Sequence, residues 1–203
     1  MDLSDLFADL EQQLGTELDQ ELRDQLGDEE RQRQARLNLR ERIRLMGLPR
    51  GIAAREPLLV TLSSGSQRRL SPVTHGRDWI AADVHNSMGE ITHAVIPLHA
   101  IVSLHPTAAQ QERSLGDPVT SISREDVASL APARARLTDQ IGFGYVLRDL
   151  ARRRKPLEVV MMGGREASLR GTIDRVGADH LDLSLADRVS IIPLAHIELV
   201  TLL

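Results

Sequence analysis

The chain has 203 residues, a formal net charge of −4 and no cysteine, which excludes disulfides and cysteine-ligated metal and suits one large or two small domains. Its acidic start, Met1-Asp2-Leu3-Ser4-Asp5, is unlike the basic opening of a secretory signal, and no apolar run is long enough to span a bilayer. A soluble cytoplasmic protein with no membrane partner is the expectation. Only Phe7, Trp79, Phe143 and Tyr145 are aromatic, so aliphatic side chains must supply the core.

The small net charge conceals a strong polarity. Residues 1–30 hold eleven Asp or Glu against one Arg, and residues 31–55 hold eight Arg against one Glu. The first 46 residues read as a helical segment. Leu3, Leu6, Phe7, Leu10 and Leu14 fall on one helical face, with Asp2 and Asp5 at the end where the helix dipole favours anions. That stripe is either packed on its own barrel or a sister subunit, or laid into another protein's groove. Its acidic polar face argues against a membrane surface. Residues 27–34 carry no apolar side chain, and Ala35, Leu39, Ile43 and Met46 restore the stripe before Gly47-Leu48-Pro49 stops it.

Residues 47–105 and 157–203 read as short strands separated by tight turns. In the second set, Leu157–Met162 is an apolar run, His180–Leu185 alternates with period two, and Val189–Leu194 and Ile197–Leu202 complete the series. The first set repeats these landmarks in order. Pro57-Leu58-Leu59-Val60 matches Pro156-Leu157-Glu158-Val159 at an offset of 99 residues, and Asp78-Trp79 matches Asp179-His180 at 101. Ile96-Pro97-Leu98 matches Ile192-Pro193-Leu194 at 96. An internal repeat follows. Five short amphipathic strands leave two edges, and closing each set into a small barrel is the expected way to remove them. Helical spacing in Leu137–Arg154 puts a second helix ahead of the second set, with Thr138 as its N-cap. Residues 106–136 form a connector, with one short helix expected from Ser123 to Leu130. The domain plan is thus 1–46 helical, 47–105 first barrel, 106–136 connector, and 137–203 helix plus second barrel.

The run Gly171-Thr172-Ile173-Asp174-Arg175-Val176, with the apolar pattern around it, resembles the Sm-like family. The resemblance implies strongly bent five-stranded barrels that assemble through their edge strands, often around RNA. The arrangement of Asp5–Glu11 ahead of two such units also resembles a bacterial family. Departures are specific: Gly177 stands where RNA-binding members carry Asp, His180-Leu181 where they carry Met-Asn, and Ile192-Pro193-Leu194 where their last basic signature falls. Their base pocket therefore cannot be carried over. Nucleic acid could instead meet Arg40, Arg42, Arg44, Arg152, Arg153, Arg154 and Lys155, with Trp79 and His180 as the paired stacking candidates. The histidines, five of them between His75 and His105, show no metal-ligand spacing, and Ser63-Ser64-Gly65-Ser66 is a hairpin turn without the strand-turn-helix setting of a nucleophile elbow. No cofactor, metal or catalytic residue is expected. The expected protein is a non-catalytic, self-associating adaptor that docks a protein through Leu3, Leu6, Phe7, Leu10 and Leu14, with RNA or DNA binding as the alternative.

Overall fold

Ten antiparallel strands form the body of the structure, a computed structural model that describes residues 31–32, 34–47, 56–86, 88–115, 137–163 and 167–203. The stripe from Leu3 to Leu14 and the segment Ser123–Leu130 lie outside the described residues. The chain divides into two units, Met1–Leu39 and Arg40–Leu203. In the first, residues 34–36 are helical, and the Leu37 N–H donates to the Gln34 carbonyl at 3.2 Å as the helix breaks.

Helix α1 (Leu39–Met46) buries Ile43 and Met46. It leads to β1 (Leu58–Leu62), β2 (Gln67–His75), β3 (Trp79–His85), β4 (Ile91–Pro97) and β5 (Ile101–His105). Helix α2 (Ala108–Leu115) lies in the segment read as connector. Its signal is a capping box: Thr107 Oγ1 accepts from the Gln110 N–H, and Gln110 Oε1 accepts from the Thr107 N–H. The buried Gln110 amide also donates to the Glu56 and Pro57 carbonyls, tying α2 to the start of β1. Next come α3 (Leu137–Gln140), α4 (Phe143–Arg153), β6 (Leu157–Met161), β7 (Ser168–Val176), β8 (His180–Ser184), β9 (Val189–Pro193) and β10 (Ile197–Leu202). The expected single helix from Leu137 is therefore two, broken at residues 141–142, with Thr138 inside the first piece. A short 3-10 turn separates the fourth and fifth strand in each half, Leu98–Ala100 and Leu194–His196.

The two closed five-stranded barrels expected from the sequence are not what the chain builds. It forms one open ten-stranded sheet, in the order β5-β1-β2-β3-β4-β10-β6-β7-β8-β9. The reason is strand-edge accounting: a strand has two edges, and closing the first set would need a free edge on β4. That edge is taken by β10, through Val95 opposite Val200 and Ala94 opposite Thr201. The other edge of β10 carries β6, so the second set cannot close on β10 either. Joining the halves removes one edge from each and leaves β5 and β9 at the ends.

Alternation along the central strands places a core on each side of the seam. Ile80, Ala82, Ala94, Ile96 and Leu199 join Ile43, Met46, Leu58, Val60, Leu62 and Leu70 in one cluster. Trp79, Val95 and Val200 join Phe143, Leu147, Leu157, Leu181 and Leu183 in the other. Each half thus lends side chains to the other's core. Gly171 is fixed by β7–β8 packing, because a Cβ there would overlap the Ser184 carbonyl oxygen.

Candidate functional site

The repeat is visible in the backbone hydrogen bonds. Leu62 N–H donates to Ser66 O at 2.9 Å, and Met161 N–H to Ala167 O at 2.8 Å. Gly76 N–H donates to Trp79 O at 2.8 Å, and Gly177 N–H to His180 O at 2.9 Å. Leu98 N–H reaches Asp78 O at 2.8 Å, and Leu194 N–H reaches Asp179 O at 2.7 Å. β-Bulges fall at equivalent places too, at Val102 against Glu198 and at Val73 against Asp174. The halves can therefore be compared position by position.

Among the described residues, three devices that join the halves have counterparts elsewhere in the repeat. The first is the β4–β10 ladder. The second is Glu198, 1% exposed, which the bulge in β10 releases from regular pairing. Its carboxyl accepts from the Ser64 N–H at 2.6 Å and the Ser64 hydroxyl at 2.8 Å, on the β1–β2 turn. The third is the Arg77–Trp79 turn. Asp78 Oδ1 accepts from the Phe143 N–H at 2.7 Å, the Trp79 indole donates to the Ile141 carbonyl at 2.8 Å, and the Arg77 N–H donates to that carbonyl at 2.9 Å. The N-cap of α4 is Gly142, which has no side chain to offer, so Asp78 supplies the cap from the other half.

At the two ends of the sheet the counterparts of these groups are uncovered. Val95 is 7% exposed beneath β10, whereas Ile191, its equivalent on β9, is 70% exposed. Val102 of β5 stands where Glu198 stands in β10, and is 66% exposed. Asp179 and His180, the equivalents of Asp78 and Trp79, are hydrogen-bonded to each other at 2.8 Å on an open turn. That bond, from the His180 ring, is the main reason the Asp179 carboxyl titrates below its ordinary range.

The cationic candidates do not form one surface. Arg40 is half-buried, with its guanidinium donating to the Gly76 and Asp139 carbonyls, and the Nε of Arg42 is buried. Arg44 is half-buried and already engaged with other groups. Arg152, Arg153, Arg154 and Lys155 are exposed at the end of α4, with Arg153 paired to Asp149 at 2.8 Å. Trp79 is buried at the junction, and His180 lies on the opposite half from it. Across the seam lies a cleft of about 480 Å³ lined by Arg68, His85, Glu158, Arg170, Leu199 and Thr201. His85 Nε2 lies 2.9 Å from the Ser71 hydroxyl, and His93 is paired with Asp83 at 2.7 Å. The hydrogen bonds of His85, His93 and His105 do not join a hydroxyl, an imidazole and a carboxylate in series, the arrangement a serine nucleophile needs. Nor do the described residues hold a group of three His, Asp or Glu close enough for a metal ion.

Sequence reading alone offered no sign of Glu198 as a lock or of Asp78 as a cap. The one available signal was the mismatch between equivalent positions, Glu198 against Val102 and Trp79 against His180. Comparison with protein-family models, with curated proteins and with solved structures returns no match for this chain.

Proposed function

We propose that the protein is a non-catalytic, self-associating binding module whose copies join through their sheet edges, β9 of one against β5 of the next. The carrying observation is the contrast between Val95, covered by β10, and its equivalent Ile191, open on an edge strand. Edge strands bearing exposed apolar side chains are what monomeric sheets avoid, since their unpaired N–H and C=O groups template further pairing. Covering Ile191 as Val95 is covered contributes about 1.5–3 kcal/mol from that side chain. The stripe Leu3, Leu6, Phe7, Leu10 and Leu14 then supplies an arm for a second protein, a reading supported by its sequence spacing alone. Nucleic-acid binding ranks second. Arg152, Arg154 and Lys155 offer phosphate contacts, but Trp79 is buried and cannot stack on a base without opening the junction.

Sedimentation velocity across a wide concentration range tests the main reading. The mass of the native chain is expected to rise with concentration, and Ile191→Lys, a change at an exposed position, is expected to hold it at the monomer. A native mass that stays monomeric at every concentration refutes the proposal.

A further inference from the structure

We infer that the cleft across the seam is a binding site for a small organic carboxylate, an acidic head on an aliphatic body, independent of the self-association proposed above. Residues of six neighbouring strands line it, from Arg68 on β2 to Arg170 on β7. Those two strands stand five steps apart in the sheet order, roughly 24 Å if the sheet were flat. Both arginines nonetheless line one space of about 480 Å³, so the sheet curls at the seam and turns its two flanks into walls. That volume falls in the range of small-molecule sites, about 300–1,000 Å³.

The floor of the cleft is apolar because it is the open end of the first core. Leu199 belongs to that cluster, and Val84 and Val160 pack against it. The rim is cationic at a position where the fold does not require a charge. Arg68 stands opposite Val60 on β1, as Leu169 stands opposite Val159 on β6. Leu169 packs on the second core, which is what a purely structural side chain does at this place in the repeat. Arg68 ends instead at the cleft and, among the described residues, makes no hydrogen bond or ion pair. Its guanidinium keeps its five N–H donors for a ligand.

Arg170 and His85 complete the polar side. Arg170 is paired with Glu158 at 3.5 Å yet stays exposed, so most of its donors are available. His85 Nε2 lies 2.9 Å from the Ser71 hydroxyl. With that hydroxyl donating to Nε2, Nδ1 carries the ring proton and has no partner among the described residues. Counting His85 as neutral, the lining side chains hold two positive charges and one negative. This balance suits a single carboxylate, which also matches the two-pronged donor geometry of a guanidinium, and Glu158 would repel a polyanion. Among the described lining residues there is no Phe, Tyr or Trp for a base to stack on, and Glu158 is the one carboxylate side chain, too few for a metal ion.

Methyl NMR of the full chain titrated with hexanoate tests the site, with hexanamide as the neutral isostere and inorganic phosphate as the bare anion. Hexanoate at millimolar concentration is expected to shift the methyl signals of Val84, Val160 and Leu199, and the other two probes to bind about tenfold more weakly or worse. Arg68→Gln and Arg170→Gln should each weaken hexanoate about tenfold or more, through loss of a hydrogen bond to a charged group. Arg188→Gln, on the turn between β8 and β9, removes the same charge and should leave binding unchanged. Urea midpoints equal to that of the native chain verify that the variants fold. Shifts centred outside the cleft, equal binding of the amide or of phosphate, or an Arg68→Gln chain that binds hexanoate as the native chain does would each overturn the proposal, as would the absence of any hexanoate shift.

Discussion

Replacing Glu198 by alanine should weaken the seam between the halves by a calculable amount. The carboxyl is buried, and it accepts the Ser64 N–H at 2.6 Å and the Ser64 hydroxyl at 2.8 Å, with Ser66 Oγ farther away at 3.4 Å. A hydrogen bond to a charged group contributes about 1.5–3 kcal/mol. The Ser64 hydroxyl keeps an alternative partner in Ser66 Oγ at 2.9 Å, so its loss is partial, whereas no such partner stands in for the carboxyl at the backbone N–H. The expected loss is about 3 kcal/mol, a fall of about 1.5 M in the urea midpoint for a slope near 2 kcal/mol per M. Trp79 is the only tryptophan and is buried at the junction, so its fluorescence reports the transition. A cycle with Ser64→Ala should return a coupling of about 1 kcal/mol or more. A midpoint shift below about 0.25 M, or strict additivity of the two changes, would refute the view that this carboxyl locks one half to the other.

Two further outcomes follow from single positions. Gly171→Ala should be severely destabilising, by about 3 kcal/mol or more in the same urea assay, because the new methyl group overlaps a backbone carbonyl that no rotamer change can move away. Asp179 should titrate below the ordinary aspartate range by carboxyl NMR, and His180→Ala should move it back up, since the ring's hydrogen bond is the largest cause of the lowering. The sign is that of a depressed carboxylate: its small contribution to stability is present above the ordinary aspartate pKa and is lost as pH falls through the lowered one. An Asp179 titration that ignores the His180 substitution would show that the pair is not formed in solution.

The strands themselves were legible. Period-two runs and glycine turns placed ten of them, and the matched landmarks aligned Asp78 with Asp179 and Pro97 with Pro193. What a repeat does not encode is which edge meets which. A strand set that can close on itself can equally pair with its twin, and both outcomes bury the same alternating faces. The choice rests on side chains that the repeat does not share. Trp79 needs the Ile141 carbonyl, and that carbonyl is presented only because the helix breaks before Gly142. Glu198 is a lone charged residue in an apolar strand, which reads as an exposed position until the bulge and the serine turn are seen together. Helix α2 was missed for a plainer reason. Its Thr107-x-x-Gln110 box is a good start signal, but the run behind it, Ala-Ala-Gln-Gln-Glu-Arg-Ser-Leu, has almost no apolar face to register by periodicity.

The differences between the halves also bear on how strong a contact between copies can be. At the internal junction an indole and a carboxylate clamp one helix start, and a buried Glu198 holds the facing turn. At the open ends the indole becomes an imidazole and the glutamate becomes Val102, with Met162 and Gly163 where the serine turn would be. A seam made from the second set keeps the backbone ladder and the apolar contact of Ile191, but it lacks the hydrogen bonds between the fifth strand and the turn. Its contribution is therefore smaller than that of the internal seam by roughly the Glu198 share worked out above, about 3 kcal/mol, or a factor of over a hundred in equilibrium constant. If copies associate as proposed, the internal seam is expected to persist at concentrations where they exchange, and the ten-stranded unit, not the five-stranded half, is the piece expected to assemble and dissociate.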